Sequence, residues 1–227
     1  MGNINIGNKQ FLCSWSGGKD SSLAYYHAAQ NGGIPTALVT TLLENGERTR
    51  AHGLSVSMLK KQAEQLGSEL FTCPTSWDDY EQNFVDLLSS IKGKNNIEHG
   101  VFGDIEIEEH REWVEKVCQQ AGFQAHLPLW QKSRRELICE FIELGFKAVV
   151  IVVDSEKLDE TFLGRTLDMT FIAEMERMEI DPAGENGEYH TVVVDGPIFA
   201  GAISYELGEI ERENGKLFQD ISPAAGG

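Results

Sequence analysis

Residues 10–30 read Gln10-Phe11-Leu12-Cys13-Ser14-Trp15-Ser16-Gly17-Gly18-Lys19-Asp20-Ser21-Ser22-Leu23-Ala24-Tyr25-Tyr26-His27-Ala28-Ala29-Gln30. A short apolar run, Gln10–Trp15, predicts a strand. Ser16–Ser21 breaks it with two adjacent glycines, and Ser22–Gln30 predicts a helix. Strand, glycine turn and helix in that order are the first half of a β-α-β unit, which implies a right-handed crossover and a parallel sheet.

The same rhythm continues outward. Gln30-Asn31-Gly32-Gly33-Ile34, Gln65-Leu66-Gly67-Ser68, Gln120-Ala121-Gly122-Phe123 and Glu143-Leu144-Gly145-Phe146 each place glycine where an amphipathic stretch gives way to a strand-like run. Leu54, Met58, Leu59, Ala63 and Leu66 share one helical face, as do Trp77, Tyr80, Phe84, Leu87, Leu88 and Ile91. Strand-like runs lie at Thr36–Leu43, Glu69–Cys73, Val101–Ile105 and Ala148–Val153, with a short one before Pro128-Leu129-Trp130. Ala148–Val153 is continuous and β-branched, as in a strand covered on both faces. After Asp154 the texture changes. Leu158–Met178 predicts a helix, Ile180–His190 is rich in Gly and Glu, and three β-like runs follow at Thr191–Val194, Ala200–Glu211 and Lys216–Ile221. Asn214-Gly215 predicts a hairpin between the last two, and Ser222–Gly227 a loose tail. The expectation is an α/β chain: an open, mostly parallel, doubly wound sheet over residues 1–154, then a smaller mixed α+β region over 155–227.

Composition bounds the function. Of 227 residues, 19 are Lys or Arg and 36 Asp or Glu, a formal charge of −17 that argues against gripping a nucleic-acid backbone. No apolar run approaches the length of a membrane span, no secretory leader is visible, and Ile6 spoils a Met-Gly myristoylation signal, so the expected compartment is the cytoplasm. Cys13, Cys73, Cys118 and Cys139 form no C-x-x-C, which disfavours structural zinc, an iron–sulfur cluster or a dithiol centre.

Ser16-Gly17-Gly18-Lys19-Asp20-Ser21 carries the chemistry. Two glycines allow a tight turn, the helix N-terminus adds its positive end, Lys19 adds a point charge, and Ser16 and Ser21 add hydroxyl donors. Together they suit a phosphate. The spacing is neither a Walker loop nor G-x-G-x-x-G.

This segment resembles the PP-loop of the ATP pyrophosphatase superfamily, which cleaves ATP between the α and β phosphates. Further segments resemble the diphthine–ammonia ligase family within it: Gly103-Asp104-Ile105, Pro128-Leu129-Trp130, Leu158-Asp159 with Leu163-Gly164-Arg165, Gly184-Glu185-Asn186-Gly187-Glu188-Tyr189-His190-Thr191 and Asp195-Gly196-Pro197. They run in order from Ser16 to Phe199. Family members that amidate diphthine usually carry glutamate where His190 stands and glycine where Asn186 stands, which points to a bacterial-type relative whose acceptor is open between diphthine and another carboxylate.

The resemblance implies an adenine nucleotide alpha hydrolase-like fold, with a PP-loop ATP-binding domain at 1–154 and a substrate-binding region at 155–227. It implies ATP bound by Ser14, Ser16, Gly17, Gly18, Lys19, Asp20, Ser21, His52, Gly103 and Arg165, and Mg2+ bound by Asp20. Lys19, Asp104, Glu185, Glu188 and His190 are the implied catalytic group. The glutamates would hold ammonium or take its proton, Thr191 would bond the acyl-adenylate, and Arg165 would face the transferring phosphoryl group. The implied reaction joins ammonium to an acceptor carboxylate, on a small molecule or on elongation factor two, with release of AMP and pyrophosphate. A corrinoid carboxylate or tRNA as acceptor, a non-catalytic ATP sensor and a homodimer all stay open.

Strand ends support that grouping, because ligands of an open parallel sheet bind beyond the carboxyl ends of its strands. The loop follows the first strand, Arg48, Arg50 and His52 the second, and Gly103-Asp104 the fourth. Asp104 and Asp20 are each cation ligands or helix caps on this reading. His27, His99, His110 and His126 show no metal-ligand spacing, and the stripe Leu167, Phe171, Ile172, Met175, Met178 predicts core.

Overall fold

The computed structural model describes residues 6–50, 52–95 and 97–225. The two N-terminal residues of the myristoylation signal and the last two of the expected tail lie outside them. The chain forms two compact units. One takes the chain up to Ser16, Asp20–Arg50 and Gly67–Gln131; the other takes Gly17–Lys19, the segment ending at Leu66, and everything from Lys132.

In the first unit, β1 (Gln10–Ser14), β2 (Ile34–Leu42), β3 (Glu69–Pro74), β4 (His99–Val101) and β5 (Gln124–His126) make a parallel sheet in the order β3-β2-β1-β4-β5. Leu12 of β1 sits beside Ala37 of β2 and Gly100 of β4. Successive side chains of β1 point to opposite faces. Leu12 joins Phe84, Leu88 and Ile91 of α3 (Tyr80–Asn95) and Val114 and Val117 of α4 (Glu108–Ala121), whereas Phe11 meets Tyr25 of α1 (Lys19–Gln30) edge to face at 5.5 Å. Helices therefore cover both faces, and the sheet is doubly wound as the β-α rhythm predicts. The strand order reverses between β1 and β4, so the segments leaving their carboxyl ends flank the switch point.

The second unit is built differently. β6 (Lys147–Asp154) is flanked by β7 (Tyr189–Asp195) and β9 (Lys216–Pro223), with β8 (Tyr205–Glu213) outside β9, and every pairing is antiparallel. Ala148–Val153 is buried throughout. The sequence pattern alone places that continuous run in the parallel sheet of residues 1–154. Burial on both faces makes any central strand apolar without alternation, so the pattern identifies a covered strand and not its direction. The division between units accordingly falls at Gln131/Lys132 and not near residue 155, and α2 (Val56–Leu66) belongs with the second unit.

α5 (Arg134–Glu143) buries Leu137, Ile138 and Phe141, and Phe141 stacks on Phe146 at 4.7 Å. The helix expected over Leu158–Met178 is α6, Met169–Arg177 only, because Asp168 caps it by accepting from Phe171 N at 2.8 Å. Phe171, Ile172 and Met175 are core, and Met178 is exposed. The β8–β9 turn is Asn214-Gly215 with φ of 49° and 78°, the doubly positive geometry that Asn-Gly favours. Ser222 and Pro223, expected in a tail, pair with Glu206 and Tyr205. No helix among the described residues is long and apolar enough to cross a membrane.

Two histidines without metal-like spacing meet across β4 and β5, His99 Nδ1 lying 2.9 Å from His126 Nε2. Burial and the neighbouring His99 lower His126 to about 4; burial also lowers His99, against Glu98. Below the unfolded value near 6.5 the unfolded chain binds more protons than the folded one, so stability is lost as pH falls from there toward 4. Urea midpoints should drop between pH 7 and pH 5, and the drop should be smaller in His126→Gln. Equal drops in both proteins would contradict this.

Candidate active site

The glycine loop is divided between the units: Ser16, Asp20 and Ser21 go with the first, Gly17–Lys19 with the second. In the first unit, Ser14 ends β1 and Ser16 Oγ lies 3.1 Å from Ser21 Oγ, which closes the bend. Gly103, beyond β4, comes so close to the Asp20–Ser21 backbone that a Cβ would sit 3.0 Å from Asp20 C and 3.1 Å from Ser21 N. A side chain there would press that backbone by a few tenths of an ångström.

Asp104 is half-buried, and its Oδ1 is 3.3 Å from His110 Nδ1. Burial raises its carboxyl above the ordinary range, with His110 opposing the rise and Asp20 adding to it. The capping alternative fails: α4 begins at Glu108 with Ile107 at its N-cap position. Of the arginines after β2, Arg50 donates to Thr75 O at 2.5 Å and lies 4.3 Å over the Trp77 ring.

The second unit holds the loop by its carbonyl. Gly17 O accepts from Val193 N at 2.9 Å and from Gln62 Nε2 at 3.0 Å, and Gln62 Nε2 also donates to Val193 O at 2.8 Å. This bend needs a φ of +83° at Gly17, where a Cβ would meet Leu54 Cδ1 at 2.5 Å. At Gly18 a Cβ would meet His52 Cε1 at 2.5 Å and Thr191 O at 3.0 Å. Gln62 is fully buried on α2. The sequence reading passed over it, although position 62 falls on the apolar face of Met58, Leu59, Ala63 and Leu66, where a lone amide is the available signal.

Thr191 is used twice. Its Oγ1 accepts from Lys19 N at 3.2 Å and its carbonyl from His52 Nδ1 at 2.9 Å, which places a proton on His52 Nδ1. Lys19, almost fully buried, sends Nζ to Glu185 Oε1 at 2.7 Å, so the phosphate loop and the glutamate-rich segment are joined 166 positions apart. The His190 ring lies 4.9 Å from that of His52. Burial above all, then His52, Lys216 and Lys19, holds His190 well below 6.5, so it is neutral at pH 7.

Two expected members are engaged elsewhere. Glu188, 3% exposed, accepts from Asn186 N at 2.9 Å, Asn186 Nδ2 at 3.1 Å and Lys157 Nζ at 3.4 Å. These contacts make it the clamp of the 184–188 turn. Arg165 pairs with Glu174 at 2.6 Å and lies over the Phe162 and Phe171 rings, so its guanidinium is committed to α6. No group of three or more His, Cys, Asp or Glu among the described residues could hold a metal ion.

Human diphthine–ammonia ligase is 29% identical over 148 residues, covering 63% of this chain and 55% of that protein. The mouse protein of the same name is 30% identical with the same coverage, and that of Schizosaccharomyces pombe is 26% identical over 230 residues, 89% of this chain and 37% of that protein. The chain thus spans about half, or less, of the length of these relatives. A solved structure, a predicted subunit of tRNA methyltransferase from Methanocaldococcus jannaschii, has a TM-score of 0.43 at 16% identity, covering 83% of this chain and 97% of that one; a likeness at that level bears on neither fold nor function. The diphthamide synthase N-terminal domain model matches residues 9–125 and the C-terminal domain model matches 133–224, so the two matches part close to where the compact units do, and the chain belongs to the diphthamide synthase family.

Proposed function

We propose that the chain is an ATP-dependent carbon–nitrogen ligase that adenylates a substrate carboxylate and passes the acyl group to ammonia, releasing AMP and pyrophosphate. The observation that supports this most is the Lys19–Glu185 ion pair, which holds the phosphate loop's cation against the segment that distinguishes the ligase family from its superfamily. Lys19 is also the first residue of α1, so an anion placed at its ammonium meets the positive end of the helix as well.

On this reading the outer phosphates of ATP take Lys19 from Glu185. The acceptor carboxylate attacks the α-phosphorus, the α–β bridging bond breaks, and pyrophosphate leaves. The carbonyl is activated because the oxygen that later departs belongs to AMP. Glu185, freed of Lys19, attracts ammonium and accepts the proton whose loss unmasks the nucleophile; attack on the carbonyl then expels AMP. Thr191 and His52 hold the loop and the β7 backbone in register through the hydrogen bonds already made. Asp20 and Asp104 are the carboxylates that would hold Mg2+. Burial above all raises the Asp104 carboxyl and the Asp20 charge adds to the rise, a strain that a cation beside them would relieve, and two protein ligands suit an ion that brings most of its shell as phosphate oxygens and water. Bound there, the ion would neutralise phosphate charge. The acceptor is a carboxylate, on diphthine of elongation factor two or on a small molecule.

With ammonium chloride and diphthine-bearing elongation factor two, products separated by ion-exchange chromatography should be AMP and pyrophosphate in equal amounts. ADP and phosphate would contradict the mechanism. Lys19→Ala should weaken ATP binding at least tenfold by calorimetry, and wild-type affinity would remove the loop from the site. Gln62→Leu keeps the volume but strips the donor from Gly17 O and Val193 O. It should lower unfolding stability by about 1–3 kcal/mol and weaken ATP binding, whereas unchanged values in both would show that the amide does not position the loop.

A further inference from the structure

Lys216 opens β9, across from Asp154 of β6 and Glu213 of β8. Neither carboxylate takes its ammonium, and no carboxylate among the described residues lies within ion-pair distance of it. Its Nζ lies instead 3.4 Å from His190 Nε2. An ammonium has donors only, so His190 Nε2 presents a lone pair and the ring is neutral. Lys216 is half-buried; the charged groups that act on His190 are Lys216 and Lys19, with His52 beside them, while Asp154 and Glu213 lie across the ladder without reaching the ammonium. Lys19 is already neutralised by Glu185, and His52 turns its Nδ1 proton to Thr191 O. The Lys216 ammonium is therefore held on an imidazole and not in a salt bridge. A partly desolvated charge left without a partner is costly, and an anion that completes it is bound correspondingly well.

We propose that Lys216, oriented by the Nε2 lone pair of His190, is an oxyanion subsite, separate from the phosphate loop, that receives the acceptor's carboxylate. The inference rests on the ligase reading, and it names the group on this chain that recognises the acid to be activated. The ammonium has three donors and spends one on His190 Nε2, which leaves two for the oxygens of a carboxylate. Phosphate oxygens share that chemistry, but the nucleotide has its own cation in Lys19. The outward-facing position of β8, exposed along nearly its whole length beside β9, leaves the hairpin edge open to an acceptor attached to a larger molecule.

The experiment uses the full chain, 15N-labelled, with sodium acetate as the carboxylate probe, sodium chloride at equal ionic strength as control, and imidazole 1H–15N correlations as the readout. Acetate should shift the His190 signals saturably in the wild type. The shift should be at least fivefold smaller in Lys216→Met and in Lys216→Gln, and should return in Lys216→Arg. An effect no greater than that of chloride, or one unchanged in both neutral variants, overturns the subsite. ATP affinity measured in the same variants separates the two sources of oxyanion. A change under twofold supports the acceptor, and a loss of tenfold or more assigns Lys216 to the nucleotide and overturns the proposal. Wild-type protein that takes acetate but not ATP overturns the ligase reading and not the oxyanion site; protein that takes ATP but not acetate overturns the site alone.

Discussion

The bend at Gly17 depends on one carbonyl. Gly17 O is held by the Val193 N–H and by the Gln62 amide, both in the second unit, and everything proposed for the site follows from where that puts the next two residues. Each hydrogen bond contributes only about 1 kcal/mol net, but a buried carbonyl stripped of its donors costs about 1–3 kcal/mol, so the bend is difficult to undo. With the carbonyl turned into β7, Gly18 passes His52 and Thr191 too closely for any side chain, and Lys19 starts α1 with its backbone N–H on Thr191 and its ammonium on Glu185. A loop fixed in this way is preorganised for an anion, because the turn and the lysine are already in place.

A chain with a formal charge of −17 thereby keeps a lysine, paired with Glu185, at the phosphate loop. At separations of a few ångströms the nearest charges outweigh the distant ones, which salt screens within about 10 Å. The two glutamates of the Gly-Glu-Asn-Gly-Glu segment divide their work accordingly. Glu185 faces the loop lysine, and Glu188 braces the turn through Asn186 and Lys157. Their spacing of three residues reads as a matched pair in the sequence, but the turn sends them to different partners. Charged groups at this site are separated by function more than by distance along the chain.

What was legible in the sequence was local. The β1–loop–α1 unit, the helix stops, the Asn214-Gly215 hairpin and the parallel sheet all follow from periods of 2 and 3.6 and from turn residues whose preferences act within a few positions. Partners far apart were not legible. Ala148–Val153 announces burial but not direction, so its place in the antiparallel sheet, and with it the boundary at Gln131/Lys132, could be known only once β7 and β9 were seen beside it. Arg165 was placed by resemblance at the phosphoryl group. Its aromatic neighbours Phe162 and Phe171 and the carboxylate of Glu174 leave no trace in spacing. Glu185 and His190 were singled out by a family motif, whereas Gln62 was missed although it interrupts the apolar face of α2. A polar residue on a buried stripe has to be satisfied by something, and here it is the backbone of the loop.

The most direct measurement is a crystal structure of the chain with the α,β-methylene analogue of ATP, which cannot be cleaved at the α–β bridge. The account predicts the two outer phosphoryl groups against Gly17–Lys19, Lys19 Nζ moved from Glu185 to a phosphate oxygen, and Gly17 O still held by Val193 N. A triphosphate bound elsewhere, with Lys19 still paired to Glu185, would contradict it.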